Sequence, residues 1–126
     1  MTTGSTQSES FRVERRGDIA VIIPSPEVES MSENLIQQTA QIVLAPLRKD
    51  PPVGLVIDLS QVKFFGSVFI SFLLRCHMLV KKHGSEVVLA GCSDRIRELL
   101  HLTALDTLWA LYDTRAQALE ALGGSD

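Results

Sequence analysis

The residue in this chain best placed to carry chemistry is a serine at a loop-to-helix junction. The stretch Val56-Ile-Asp-Leu-Ser-Gln-Val-Lys-Phe-Phe-Gly-Ser-Val-Phe-Ile-Ser71 delivers Ser67 from a loop onto the first turn of a helix. A helix N-terminus carries orphan amide donors and about half a positive charge. A serine hydroxyl there can accept one of those amides as a plain cap. The same position tolerates a phosphoserine, whose added negative charge meets the positive end of the dipole. Spacing alone favours the plain cap.

Catalysis by this serine finds no partners. Its surroundings, Phe65-Gly-Ser-Val-Phe69, are not the Gly-X-Ser-X-Gly elbow. His77 and His83 fall on the helix that Ser67 opens, more than two turns below it, so neither reaches the hydroxyl as a base. Spacing does not exclude His101, but a packing or surface histidine is the simpler reading. There is no glycine-rich phosphate loop and no dinucleotide fingerprint. Cys76, His77, Cys92 and His101 lack zinc-type spacing, so no metal or other cofactor is expected. Cys76 reads as core and Cys92 as a strand-end thiol. Asp58 ends a strand and is expected to cap nearby loop amides. Trp109 and Tyr112 read as packing residues. The chain is expected not to be an enzyme.

Composition narrows the partners. The chain has 126 residues, with 12 Lys and Arg against 15 Asp and Glu. No basic excess exists to neutralise phosphates, so direct nucleic-acid contact is not expected. A hydrophobic share of 45% gives enough apolar material for one globular domain. Two cysteines do not make a disulfide scaffold. No run of about 18 apolar residues exists to span a membrane. Residues 1–10 are polar, read as a disordered tail, and lack the apolar core of a signal peptide. The expected setting is the cytoplasm, with both thiols reduced.

The elements that must position Ser67 follow from periodicity. Residues 11–16 alternate apolar and polar, which predicts a half-buried strand. Gly17-Asp18 is a turn, and residues 19–23 form a buried apolar strand, completing a hairpin. Ser30 and Glu33 have capping-box spacing, predicting a helix over 31–47. Leu35, Thr39, Ile42 and Pro46 share one face of it, with Ile36 and Val43 beside them. Asp50-Pro51-Pro52 stops it. Residues 53–59, apolar on both faces, predict a central strand. A helix over 67–83 ends at Gly84. A strand at 86–90, a helix from Asp94 to about Leu102 capped by Ser93, a strand at 108–111 and a helix from Thr114 to Leu122 with Gln117 as a second capping-box partner complete the order ββαβαβαβα. Residues 123–126 are expected to fray. This order implies one α/β domain over 11–122: a mixed sheet of about five strands packed with about four helices.

On the second helix, Ser67, Ser71, Arg75 and Lys82 share a stripe at 100° per residue. Phe69, Leu73, Cys76 and Val80 share the opposite one, toward the core. Val68, Phe72 and Leu79 lie between, Phe72 nearer the core. Ser67 thus heads a polar edge bearing two positive charges and bordered by Val68, a docking surface for a partner or for a second copy in a homodimer.

The span from Leu55 to Leu122 resembles the STAS family, the anti-sigma factor antagonists. Asp58-Leu59-Ser60 matches the family's strand end. Val62-Lys63-Phe64-Phe65-Gly66-Ser67 matches the loop that opens its long helix, and Gly84 to Ala90 its following turn and strand. The segment from Ser93 to Asp106 and the Tyr112-Asp113 pair fit as well. Two departures stand out: the motif's Asp is Gly66 here, and its Ser-Gly after the acceptor is Val68-Phe69. The family's acidic segment after the second strand reads Ser25-Pro-Glu-Val-Glu29, where Glu27 and Glu29 are candidates to substitute.

The resemblance implies that Ser67 is the phosphoacceptor of an anti-sigma factor serine kinase. It implies a partner-binding surface of Gly66, Ser67, Val68, Ser71 and Arg75 with Glu27 and Glu29. Unphosphorylated protein would bind the kinase and free a sigma factor, and a PP2C-like phosphatase would reset the switch. ATP and metal would belong to the kinase. The alternative is a constitutive STAS interaction module or scaffold subunit, including a transporter-associated one, in which Ser67 is only a cap.

Overall fold

The computed structural model describes residues 5–7 and 10–123. Strands β1 (Ser5–Gln7), β2 (Phe11–Arg16), β3 (Ile19–Pro24), β4 (Gly54–Asp58), β5 (Glu86–Ala90) and β6 (Ala110–Tyr112) form one six-stranded sheet in the order β1-β2-β3-β4-β5-β6. The pairs β1–β2 and β2–β3 are antiparallel; β3–β4, β4–β5 and β5–β6 are parallel. Helices α1 (Glu33–Lys49), α2 (Ser67–Lys82) and α3 (Asp94–Leu102) make the three crossovers, and α4 (Arg115–Ala121) ends the fold.

Strands β3 to β6 step across the sheet in one direction. Right-handed crossovers then put every connecting helix on the same face. Accordingly Ile36 and Leu44 of α1, Leu73 and Cys76 of α2, and Ile96 and Leu100 of α3 share one core with Phe11, Leu55, Ile57 and Leu89. Helix α4 follows the last strand and is free to cross over. Its Ala118 and Leu119 cover Ile19, Val21, Ile23, Val56 and Val88 on the opposite face. β3 and β4 are therefore buried on both sides, which is why their sequences run apolar without alternation.

Several expectations need correction. Ser5–Gln7, inside the segment read as a disordered tail, is strand β1, in register with Gln7 opposite Arg12 and Ser5 opposite Glu14. Ser10 is buried, and its carbonyl accepts from the Ser25 amide. An edge strand is held by backbone hydrogen bonds, so a polar segment can form one without an apolar signature. The sheet has this short strand in addition to the five expected. Residues 1–4, 8, 9 and 124–126 of the expected tail and fray lie outside the described residues.

Helix α1 starts at Glu33, capped by Ser32, whose hydroxyl accepts from the Leu35 amide at 3.2 Å. Ser30 instead closes a 3-10 turn over Pro26–Glu29, donating its amide to the Glu27 carbonyl. The buried stripe of α1 is Ile36, Thr39, Ala40, Val43, Leu44 and Leu47, leaving Leu35 48% and Ile42 60% exposed. The last strand spans Ala110–Tyr112 instead of 108–111, because a second 3-10 turn over Leu105–Thr107 ends on Leu108, whose backbone is helical (φ −87°, ψ −31°).

Candidate interaction site

The site is built where β4 ends. Asp58 is buried at that end, and its two carboxylate oxygens have separate tasks. Oδ1 accepts from the Ser60 amide at 3.0 Å, the expected loop cap. Oδ2 accepts from Arg115 Nε at 2.8 Å, fixing the start of α4 to the sheet. Arg115 also lies 3.7 Å from Glu14 Oε1 on β2. Arg115 went unnoticed in the sequence because its partners are 57 and 101 residues away, and no local pattern marks such a pair.

From Asp58 the chain runs through a loop to α2. Leu59 donates to the Ala90 carbonyl, and Val62 to the Leu59 carbonyl. Glu29 Oε2 accepts from the Lys63 amide at 3.0 Å, and Ser93 Oγ donates to the Lys63 carbonyl at 2.7 Å. Arg95 lies over the Phe64 ring, 4.4 Å from its centroid. Phe65 turns inward onto Phe69, with ring centroids 4.8 Å apart.

The N-cap of α2 is Gly66, not Ser67. Gly66 is extended (φ −105°, ψ −165°) and offers no side chain to the first-turn amides. Ser67 is the first helical residue and exposed. Among the described residues nothing holds its hydroxyl, while its carbonyl accepts from Ser71 Oγ at 3.3 Å. The plain-cap reading of Ser67 therefore fails on geometry: a side chain one residue inside the helix does not fold back as an N-cap does.

The faces of α2 divide as expected. Phe69, Phe72, Leu73, Cys76 and Val80 are buried. Ser67, Ser71 and Arg75 are exposed, and Val68 is half-buried beside them. Val68, Ser71, Phe72 and Arg75 form one wall of a groove of about 40 Å³, and Glu33, Ile36, Gln37 and Ala40 of α1 form the other. The α1 wall was not anticipated. Val68, Ser71 and Arg75 line this groove, and Gly66 and Ser67 are exposed at the start of the same helix. Of the two acidic candidates, Glu29 is bonded to the Lys63 amide of the loop, and Glu27 faces Ser10, with Oε1 accepting from its hydroxyl at 3.4 Å.

The remaining candidates are placed elsewhere. Trp109 is buried and donates its Nε1 hydrogen to His77 Nδ1 at 3.1 Å. His101 pairs with Asp106 at 3.0 Å on the exposed end of α3. Burial pushes the Cys92 thiol up to about 11 and the fully buried Cys76 thiol higher still. Among the described residues no group of three His, Cys, Asp or Glu side chains is disposed to hold a metal ion. Among them, too, no helix is long and apolar enough to cross a membrane.

A profile of the STAS domain family matches residues 11–118. The structure of an anti-sigma-factor antagonist (STAS) domain protein from Planctomyces limnophilus is 31% identical, covering 90% of this chain and 97% of that one, with a TM-score of 0.78. That of an anti-sigma factor antagonist from Mycobacterium paratuberculosis is 33% identical, covering 90% and 93%, with a TM-score of 0.70. The anti-sigma factor antagonist SpoIIAA in its unphosphorylated form shares the fold, with a TM-score of 0.76 at 14% identity over 93% of this chain and 99% of that one. A curated relative, a putative pentatricopeptide repeat-containing protein of Arabidopsis thaliana, is 27% identical over 71 residues, and the matched part of this chain spans 12% of its length.

Proposed function

Because the chain belongs to the STAS domain family, we propose that it is an anti-sigma factor antagonist that works by phosphorylation-controlled partner switching. In this reading the surface from Gly66 to Arg75 binds an anti-sigma factor serine kinase while Ser67 carries a free hydroxyl. The kinase transfers the γ-phosphoryl group of ATP to Ser67 Oγ. The bond from that phosphorus to the ADP oxygen breaks, an Oγ–P bond forms, and the hydroxyl proton passes to a base on the kinase. A PP2C-like phosphatase hydrolyses the ester and restores the hydroxyl.

The observation that carries the reading is the exposed Ser67 hydroxyl, one residue inside an uncapped helix N-terminus. The positive end of α2 accepts the roughly 1.5–2 negative charges of a phosphate without unfolding the helix. On the partner's side the same charge and bulk arrive beside Val68 in the middle of the contact. Every 1.4 kcal/mol of lost contact or desolvation weakens binding about tenfold.

A second reading is favoured by Gly66, which replaces the carboxylate of the family motif beside the acceptor. There the same surface binds a partner constitutively, as a scaffold module does. Phosphosite mass spectrometry on the protein isolated from its own cells separates the two. Phosphate on Ser67 that disappears in Ser67→Ala supports the switch; its absence across growth and stress conditions supports the constitutive module. In pull-downs, the switch requires Ser67→Ala to hold the kinase permanently and Ser67→Asp to lose it. Equal capture by both variants would exclude the switch.

A further inference from the structure

The segment from Leu59 to Gly66 has no helix or strand to hold it, yet it decides where α2 begins. Its first half is tied to its own surroundings: Leu59 to the Ala90 carbonyl, Ser60 to Asp58, Val62 to Leu59. Its midpoint is held differently. Both backbone polar groups of Lys63 are taken by side chains from remote elements. Glu29, 34 residues earlier, receives the amide at 3.0 Å; Ser93, 30 residues later, donates to the carbonyl at 2.7 Å.

Both side chains stand on anchored elements. Glu29 ends the 3-10 turn whose Val28 is buried in the main core. Ser93 is the N-cap of α3, accepting from the Ile96 amide at 3.2 Å with the same oxygen whose hydrogen goes to Lys63. A hydroxyl can do both, because it has one hydrogen to donate and two lone pairs. Arg95, two residues on, lies against Phe64. The bond to Glu29 is charge-assisted, the stronger class of hydrogen bond.

We infer that Glu29 and Ser93 are positioning residues for Ser67, clamping Lys63 from the 3-10 turn and from α3 so that the first turn of α2 meets a kinase in one orientation. The inference rests on the reading of Ser67 as the phosphoacceptor. It gives Glu29 a task other than touching the partner. It also makes α3, which contributes nothing to the exposed stripe of α2, part of the site's support.

Four substitutions in the full chain test it. Glu29→Ala removes the acceptor, and Glu29→Gln keeps an amide oxygen in its place. Ser93→Asp still caps α3 but has no hydrogen for the Lys63 carbonyl, and Ser93→Thr keeps both functions. Backbone ¹⁵N relaxation reads the order of the Gly66, Ser67 and Val68 amides. In Glu29→Ala and Ser93→Asp their order parameters are expected to fall from the rigid range of about 0.85 toward about 0.6. Gln and Thr should hold them near the starting value, and the β4 and β5 amides should stay unchanged in all four. Unchanged order at Gly66–Val68 overturns the inference. So does a loss of order spread evenly over the domain, which marks a general structural role. The measurement needs no kinase, so an absence of phosphate on Ser67 in cells would refute the phosphoacceptor reading separately.

Discussion

Ser67 and Gly66 divide between them what one residue does at most helix starts. Gly66 occupies the cap position without a capping group, and Ser67 has a hydroxyl one place too late to cap. That offset leaves the serine oxygen available for modification, a property of a single residue step. It also leaves the first turn of α2 short of a partner for its amides. A Cβ built on Gly66 meets nothing within 4 Å, and the backbone is already extended, as a capping aspartate requires. Gly66→Asp is therefore expected to stabilise the fold by a few tenths to about 1 kcal/mol, seen as a higher urea midpoint at unchanged slope. A lower midpoint would mean that the carboxylate meets repulsion the geometry does not show.

Among the elements, the loop from β5 into α3 matters as much as α2. Gly91 has φ +70° and lies against the loop that leads to Ser67. A Cβ there would sit 2.9 Å from Ser60 Cβ and 3.1 Å from the Ser60 backbone. Only a residue without a Cβ lets the two loops meet so closely while adopting the left-handed conformation. Gly91→Ala is expected to cost about 2–3 kcal/mol, combining the left-handed penalty with the displaced contact. Chemical denaturation measures it, and amide shift changes should concentrate at Ser60 and its neighbours. A loss under about 0.5 kcal/mol would show that the loops part without strain.

On the scale of the whole molecule, burial governs the thiols. Cys92 is pushed up to about 11 chiefly by burial; Arg97 lowers it and Asp58 raises it as lesser influences. At pH 8 its thiolate fraction is about a hundredfold below that of an ordinary thiol, offset roughly tenfold by the greater nucleophilicity of the more basic thiolate, so reaction with an aromatic disulfide reagent should be slower in the folded than in the unfolded chain by about tenfold or more. The inner Cys76 should be slower still. Equal rates in folded and unfolded protein would contradict this. The linked effect on stability has a definite sign. The folded state binds the thiol proton more tightly than the unfolded state, so this contribution is complete below about pH 9 and is lost as pH rises toward 11. Unfolding midpoints measured across that range should fall with pH.

The sequence by itself determined the element order from Phe11 onward, because period-2 and period-3.6 patterns and the caps at Ser93 and Thr114 are local properties. It also determined which face of α2 is buried and that Ser67 opens the helix. Tertiary structure alone decided the rest. Strand β1 forms because β2 offers it a backbone edge, and Ser32 displaces Ser30 as cap because the preceding turn takes Ser30 for itself. The Asp58–Arg115 pair, the two side chains on Lys63 and the α1 wall of the groove join residues 28 or more positions apart. Such contacts exist only once right-handed crossovers have laid the helices on the sheet, so no spacing along the chain announces them.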